Sequence, residues 1–358
     1  MLVENSKMIY KGSDELARVY RGDHNIVWEP EEIDYSSQYL TFEVVSSGEP
    51  GEFVFLPASS SKNIQFSKND GPWIDYSSST SADRNVVYKD RIRVKGNNSS
   101  YTSRSPANYS WMKIIGTNYR MFGNTMSLVW GDDFIGKTTL LNDMDESWDP
   151  MGCFSFLFRG EGQTPASSTC ISIEHVVLPA ESVPMNGYYG MFAGMNLIKK
   201  APVIQATTIG TSGCGYMFGL CSSLKTACEL PAEDIGAGAY MSMFSTCNAL
   251  EKAPTILPCI YPLNSAYRWM FYGCGSLEVA PELPAVSAVS DAYKEMFINC
   301  RSLKYVKCML EDENASTITP SWMDGVSSTG TFVKSPNMSG WTRGKNGIPN
   351  GWTIVDAT

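Results

Sequence analysis

Histidine is nearly absent from this chain, with two in 358 residues. Neither His24 nor His175 has a plausible Ser or Cys partner at hand in sequence to form a nucleophile–base pair, so structural roles are expected, although such triads also assemble from distant positions. Charge is sparse as well: 18% of residues are charged, with a net charge of −9. Without a basic stripe, nucleic acid and anionic membrane surfaces are poor partners, because both require concentrated Lys and Arg. No apolar run approaches the roughly 20 residues that span a bilayer, so no membrane insertion is expected. The first thirty residues carry charges every few positions and no apolar run of signal-peptide length, so no export signal is expected there. A chain of this kind working outside a cell would have lost its leader or would leave by lysis as part of a particle. There is no CxxC pair, Cys/His cluster at zinc spacing or EF-hand loop, so neither metal nor cofactor is expected. Aromatic residues, by contrast, reach 12%, a composition that argues for an ordered chain.

What the chain does contain is a repeat. Met-Phe pairs begin at 191, 217, 243, 270 and 296, in steps of 26, 26, 27 and 26. A Cys follows four places after the Met at 221, 247, 274 and 300, with Met195 in the first copy, and a Leu seven places after it at 224, 250, 277 and 303. A fixed period of this length predicts a solenoid whose coils bury their periodic positions against one another. Tyr188, Tyr240, Tyr267 and Tyr293 stand three places before the Met, and Tyr-x-x-Met-Phe-x-x-Cys predicts a short helical turn with one shared face. The following Leu-x-x-Ala-Pro-x-Leu predicts a short strand ended by its proline, which cannot donate to a ladder. Four of the ten cysteines share one register. Equivalent side chains on adjacent coils run parallel, a poor geometry for bridging, so buried thiols are expected.

Outside the repeat the chain differs in kind. Ile9-Tyr10-Lys11-Gly12 and Val19-Tyr20-Arg21-Gly22, closing on Ile26-Val27-Trp28, predict a small β-meander over 1–34. Short alternating segments such as Tyr39 to Val45 and Asp90 to Val94, separated by Ser, Gly and Asn clusters, predict an Ig-like β-sandwich over 35–118. Met121-Phe122, with Leu128 seven places on, and Leu157-Phe158 read as leading copies of the repeat, giving a solenoid over 119–318. The Gly-, Pro- and Trp-rich segment 319–358 reads as a C-terminal cap over the last coil.

One motif speaks for an enzyme. Gly131-Asp132-Asp133-Phe134-Ile135-Gly136-Lys137-Thr138 satisfies the P-loop pattern and precedes Leu140-Leu141, which would open a helix. Two carboxylates inside the loop, and no later strand ending in a metal-binding Asp, weigh against phosphate chemistry. Gly131, Gly136, Lys137 and Thr138 are therefore read as a chance match and not as cofactor-binding residues. Asp132-Asp133, Asp143-Asp145 and Glu311-Asp312-Glu313 read as solvated loop carboxylates, and no catalytic residue is assigned.

The phrase Met-Phe-x-x-Cys-x-Ser-Leu-x-x-Ala-Pro-x-Leu-Pro-Ala resembles the BspA-like leucine-rich repeats of Bacteroides surface proteins, most specifically over 178–310. Gly96-Asn97-Asn98, Gly123 to Leu128, Gly325 to Phe332 and Gly347 to Trp352 are similar to segments that accompany those repeats. The resemblance implies a right-handed leucine-rich-repeat solenoid used in adhesion, with no catalytic residues to carry over. The opening Tyr-Lys-Gly, Tyr-Arg-Gly meander resembles N-terminal segments of tail and appendage proteins in phages of gut bacteria. The fold expected is therefore mainly β with short helices: a leucine-rich-repeat solenoid preceded by a β-sandwich and a β-meander.

The function expected is non-enzymatic host recognition as a virion tail or appendage component of a Bacteroides-infecting phage. The alternative is a bacterial cell-surface adhesin, with nucleotide binding a distant third. Virion proteins would be met through the N-terminal region and a surface glycan or protein through the solenoid, and a homo-oligomer fits either case. Eight places after each Met stand Lys199, Lys225, Glu251, Glu278 and Lys304, one outward charge per coil and the candidate ligand stripe. Reversing Glu251 and Glu278 to Lys is expected to change ligand binding without altering the melting temperature.

Overall fold

The computed structural model describes residues 6–10, 16–21, 25–28, 33–104, 107–141, 152–160, 169–312 and 315–358. The chain forms two compact units, Met1–Tyr35 and Ser36–Thr358. In the first, strands Ser6–Tyr10, Leu16–Arg21 and Asn25–Trp28 pair antiparallel in consecutive order, with a register shift between Ile9 and Tyr10.

The second unit opens with two sheets. The larger runs Cys170–Val177, Tyr119–Asn124, Leu40–Val44, Arg91–Lys95, Gln65–Lys68 and Ile74–Asp75; the smaller runs Trp111–Ile115, Gly51–Leu56 and Asn85–Val86. Alternation sets their faces. Ile92 and Val94 are buried while Arg91, Arg93 and Lys95 point away from the core, and Phe53 and Phe55 are buried while Glu52 and Val54 are only half-buried. Aromatic rings from the two sheets meet between them, with centroids 5.3 Å apart for Phe42–Phe53 and 5.8 Å for Phe53–Phe66.

Strand Tyr119–Asn124 is where the pairing changes. It runs antiparallel to Leu40–Val44 on one side and parallel to Cys170–Val177 on the other. Met121 and Phe122 thus lie in a strand rather than in the turn expected of a leading repeat. Leu157-Phe158 does behave as a leading repeat: the N–H groups of Phe154, Phe156 and Phe158 donate to Gly187, Tyr189 and Met191 of the next coil.

The expected helical turn is corrected by the coil itself. Met191, Ala193 and Met195 donate backbone N–H groups three residues back, to Tyr188, Gly190 and Phe192. The residues between them, Tyr188, Gly190, Phe192 and Gly194, donate instead to Gly213, Gly215, Met217 and Gly219 of the next coil. A helix would turn every N–H back into its own segment; here half of them join the coils, and the segment becomes a chain of tight turns. Each turn needs a left-handed residue at a fixed place, and these recur every fourth position: Ser212, Tyr216 and Leu220, then Gly238, Ser242 and Thr246, then Ser265, Trp269 and Gly273. A side chain there costs about 1–2 kcal/mol, offset by the hydrogen bonds on either side.

The repeat positions fill the interior. Phe158, Phe192, Phe218, Phe244, Phe271 and Phe297 stack with centroids 5.6 to 5.7 Å apart. Tyr240, Tyr267 and Tyr293 form a second column at 5.9 and 5.5 Å. The ladder cysteines are buried thiols with a specific bond: Cys221, Cys247, Cys274 and Cys300 donate to the carbonyls of Phe192, Phe218, Phe244 and Phe271 at 3.0 to 3.3 Å. Cys thus fits this register because it is small and apolar yet carries a weak donor that reaches the preceding coil.

On the other walls the coils pair in parallel. Ser182–Val183, Thr208–Ile209 and Asp234–Ile235 form one short sheet. The expected Leu-x-x-Ala-Pro strand reduces to single bridges, Lys200↔Thr226↔Lys252, then Ile256↔Glu282 across the next coil boundary and Val279↔Tyr305 beyond it. The displaced bridge coincides with the 27-residue step, because Leu250 to Leu257 spans seven positions where Leu224 to Leu230 and Leu277 to Leu283 span six. Beyond it the wall widens into strands Tyr305–Cys308, Gly330–Lys334 and Trp352–Asp356. Trp322 ends the ring columns against Phe297 and Tyr293, stacks on Trp341 at 5.6 Å and donates its indole N–H to Gly347 O at 2.9 Å.

Candidate functional site

The five stripe residues sit where the turn chain passes into the bridge wall, and backbone bonds carry them in register in two groups, Lys199 to Glu251 and Glu278 to Lys304. Lys225 N–H donates to Lys199 O at 2.8 Å, Glu251 N–H to Lys225 O at 3.0 Å and Lys304 N–H to Glu278 O at 2.9 Å. Each points outward because its neighbour Ile198, Leu224, Leu250, Leu277 or Leu303 is buried. The stripe is more than half exposed at Lys225, Glu251, Glu278 and Lys304.

Its charges are paired across coils. Lys225 pairs with Glu251 at 2.8 Å and Lys304 with Glu278 at 2.6 Å, each across one coil boundary. The Lys225 ammonium, by hydrogen bond and by charge, holds the Glu251 carboxyl below its usual range. A plus-plus-minus-minus-plus sequence thereby becomes two neutralised rungs with Lys199 beyond them, and Lys199 joins no ion pair among the described residues. Next to the stripe Lys200 pairs with Glu174. Chemically, the surface offers a ladder of polar groups that a ligand must engage by displacing exposed, weakly held ion pairs.

The P-loop pattern lies elsewhere, on a one-turn 3-10 helix Gly131–Asp133 after the helical turn Ser127–Trp130. Gly131 N–H donates to Gly96 O at 2.9 Å and Lys137 N–H to Phe134 O at 3.1 Å, so these two amides are already used. The Lys137 ammonium lies 4.7 Å from the Trp130 ring centre. Phe134 is buried in the core. Thr138 accepts a bond from Glu181 N–H, and Thr139 bridges Ser182, so the chain here enters a parallel wall instead of a helix. Asp132 accepts from Lys95 Nζ at 2.8 and 2.9 Å and from the Tyr39 hydroxyl at 2.6 Å. These bonds, Lys95 first, depress its carboxyl. A phosphate placed in this loop would face two carboxylates, and Lys95, beside Asp132, is already engaged.

His175 lies on the exposed side of its strand. His24, Asp143 and Asp145 fall outside the described residues. Glu311 accepts from Ser335 Oγ at 2.6 Å and Asn337 Nδ2 at 3.0 Å, tying the last repeat to the C-terminal segment. Among the described residues no group of three or more His, Cys, Asp or Glu is placed to hold a metal ion, and no helix is long and apolar enough to cross a membrane. Compared with protein-family profiles, curated proteins and solved structures, the chain matches none of them.

Proposed function

We propose that this protein is a non-enzymatic recognition protein, carried in the virion as a tail or appendage component of a phage that infects Bacteroides-type gut bacteria. On this reading the N-terminal meander joins other virion proteins, the two sheets of the second unit are an Ig-like β-sandwich, and the coils are BspA-like leucine-rich repeats that meet a glycan or protein on the cell surface. The observation that carries it is the exposed ladder from Lys199 to Lys304, one charged residue per coil, four of them closed into two ion-paired rungs. Solenoids characteristically use such extended faces for binding. The resemblance of the repeat to Bacteroides surface proteins also favours a second reading, a bacterial cell-surface adhesin of the same architecture.

The test is mass-spectrometric quantification of this chain in purified phage particles and in washed envelopes of the same culture. Enrichment in particles is the expected result. Enrichment in envelopes would replace the first reading with the second, and detection only in the soluble cell fraction would sink both.

A further inference from the structure

A groove of about 540 Å³ opens at the end of the larger sheet, away from the solenoid stripe. Its floor is a cross-strand row: Gln65 is registered opposite both Lys95 and Asp75, so the three side chains stand side by side on one face. Asp132 extends the row through its bonds to Lys95, and Gln65 Nε2 donates to Asp75 Oδ1 at 2.9 Å.

The walls are loops pinned by their backbones. Gly131 N–H bonds to Gly96 O at 2.9 Å. A Cβ on Gly96 would lie 2.5 Å from the Tyr101 hydroxyl, and one on Gly131, at φ 57°, would lie 2.6 Å from Asn97 Oδ1. Asn98 Nδ2 donates to Asn63 O at 2.7 Å. Both loops are therefore set before any ligand arrives, which lowers the ordering cost of binding.

The chemistry of the lining selects a ligand class. Asp75, Asp132 and Asp133 are acceptors against a single cation, Lys95, which Asp132 already engages. Anions are therefore repelled. Asn98 Nδ2 and Gln65 Nε2 already donate once, but the amides of Asn97, Asn98 and Gln65 each keep further donor or acceptor capacity, and closing an apolar molecule over them would leave that capacity unsatisfied. Groups that both donate and accept, many per molecule and without charge, satisfy such a surface, and Trp130 supplies one aromatic edge. The volume lies within the usual range of small-molecule sites.

We infer that this groove binds a neutral saccharide, through hydroxyl groups shared between the carboxylates of Asp75 and Asp133 and the amides of Gln65 and Asn97. The inference is independent of the stripe and of whether a virion or a cell carries the protein.

The experiment is saturation-transfer NMR and titration of the full chain with a panel of neutral oligosaccharides, with sialylated and sulfated oligosaccharides, ATP and spermidine as comparators. Asp133→Asn and Asp75→Asn are the variants, both at exposed positions. At least one neutral oligosaccharide should bind, and each variant should weaken it about tenfold or more with an unchanged melting temperature. The Glu251→Lys/Glu278→Lys variant should bind it as the parent does. No neutral saccharide bound at millimolar concentration, binding confined to the anions or to spermidine, or full binding in both groove variants would overturn the assignment. Loss of binding in the stripe variant alone would place the saccharide on the solenoid, leaving the proposed function intact and the groove without its ligand.

Discussion

The column of phenylalanines makes a quantitative prediction about how the coils hold together. Phe244 is fully buried, its ring 5.6 Å from Phe218 and 5.6 Å from Phe271, with interplanar angles of 4° and 12°. Phe244→Leu keeps most of the apolar volume and removes two stacked contacts, each worth about 0.5–1.5 kcal/mol. The expected loss of stability is thus about 1–3 kcal/mol. Because each coil touches only its neighbours, the sharper reading is a double-mutant cycle. Phe218→Leu with Phe244→Leu should couple by about 0.5–1.5 kcal/mol. Phe192→Leu with Phe271→Leu, three coils apart, should add to within about 0.3–0.5 kcal/mol. Urea unfolding followed by far-ultraviolet circular dichroism and tryptophan fluorescence measures both. Coupling of equal size in the two pairs, or none in the adjacent pair, would refute the nearest-neighbour account of the core.

Three further outcomes follow from the same geometry. All ten cysteines are buried, and burial pushes the thiols of Cys228, Cys247, Cys300 and Cys308 up to about 12. A thiol reagent at pH 8 should leave the native protein unmodified and titrate ten groups in denaturant; rapid labelling of the native chain would contradict the buried ladder. Since these folded-state values lie above the ordinary 9.0, the stabilisation they carry is complete below pH 9 and is lost as pH rises toward 12. Tyr39, pushed up to about 12 by burial and by its bond to Asp132, works in the same direction from its ordinary 10.0. The urea midpoint should accordingly hold from pH 7 to about 9 and fall above it, and a flat profile to pH 12 would count against the linkage. Glu251→Lys/Glu278→Lys breaks two exposed pairs and places five lysines in one stripe, so a small loss of stability is expected, relieved by added salt. Salt-independent loss would mean that something other than charge had been disturbed.

The sequence determined the solenoid and its interior. A period of 26 with Met, Phe, Cys and Leu at fixed places leaves those side chains only one another to pack against, and all of them are buried. It also marked which residues face outward, since Lys225, Glu251, Glu278 and Lys304 each follow a buried Leu. Spacing could not distinguish the turn chain from a helical turn, because three- and four-residue intervals suit both. The neighbouring coil decides, by taking every second N–H. Nor did a list of charges reveal two closed rungs: partners 26 residues apart meet only when the coils stack, and the 27-residue step separates one rung from the other. The groove was least legible of all. Its floor joins Gln65, Asp75 and Lys95 through strand register, and its wall brings in the Gly131 loop, which read in isolation as a nucleotide motif. Local pattern fixes which side chains leave water; where polar side chains from distant segments converge is set by pairing and stacking, and that information resides only in the folded chain.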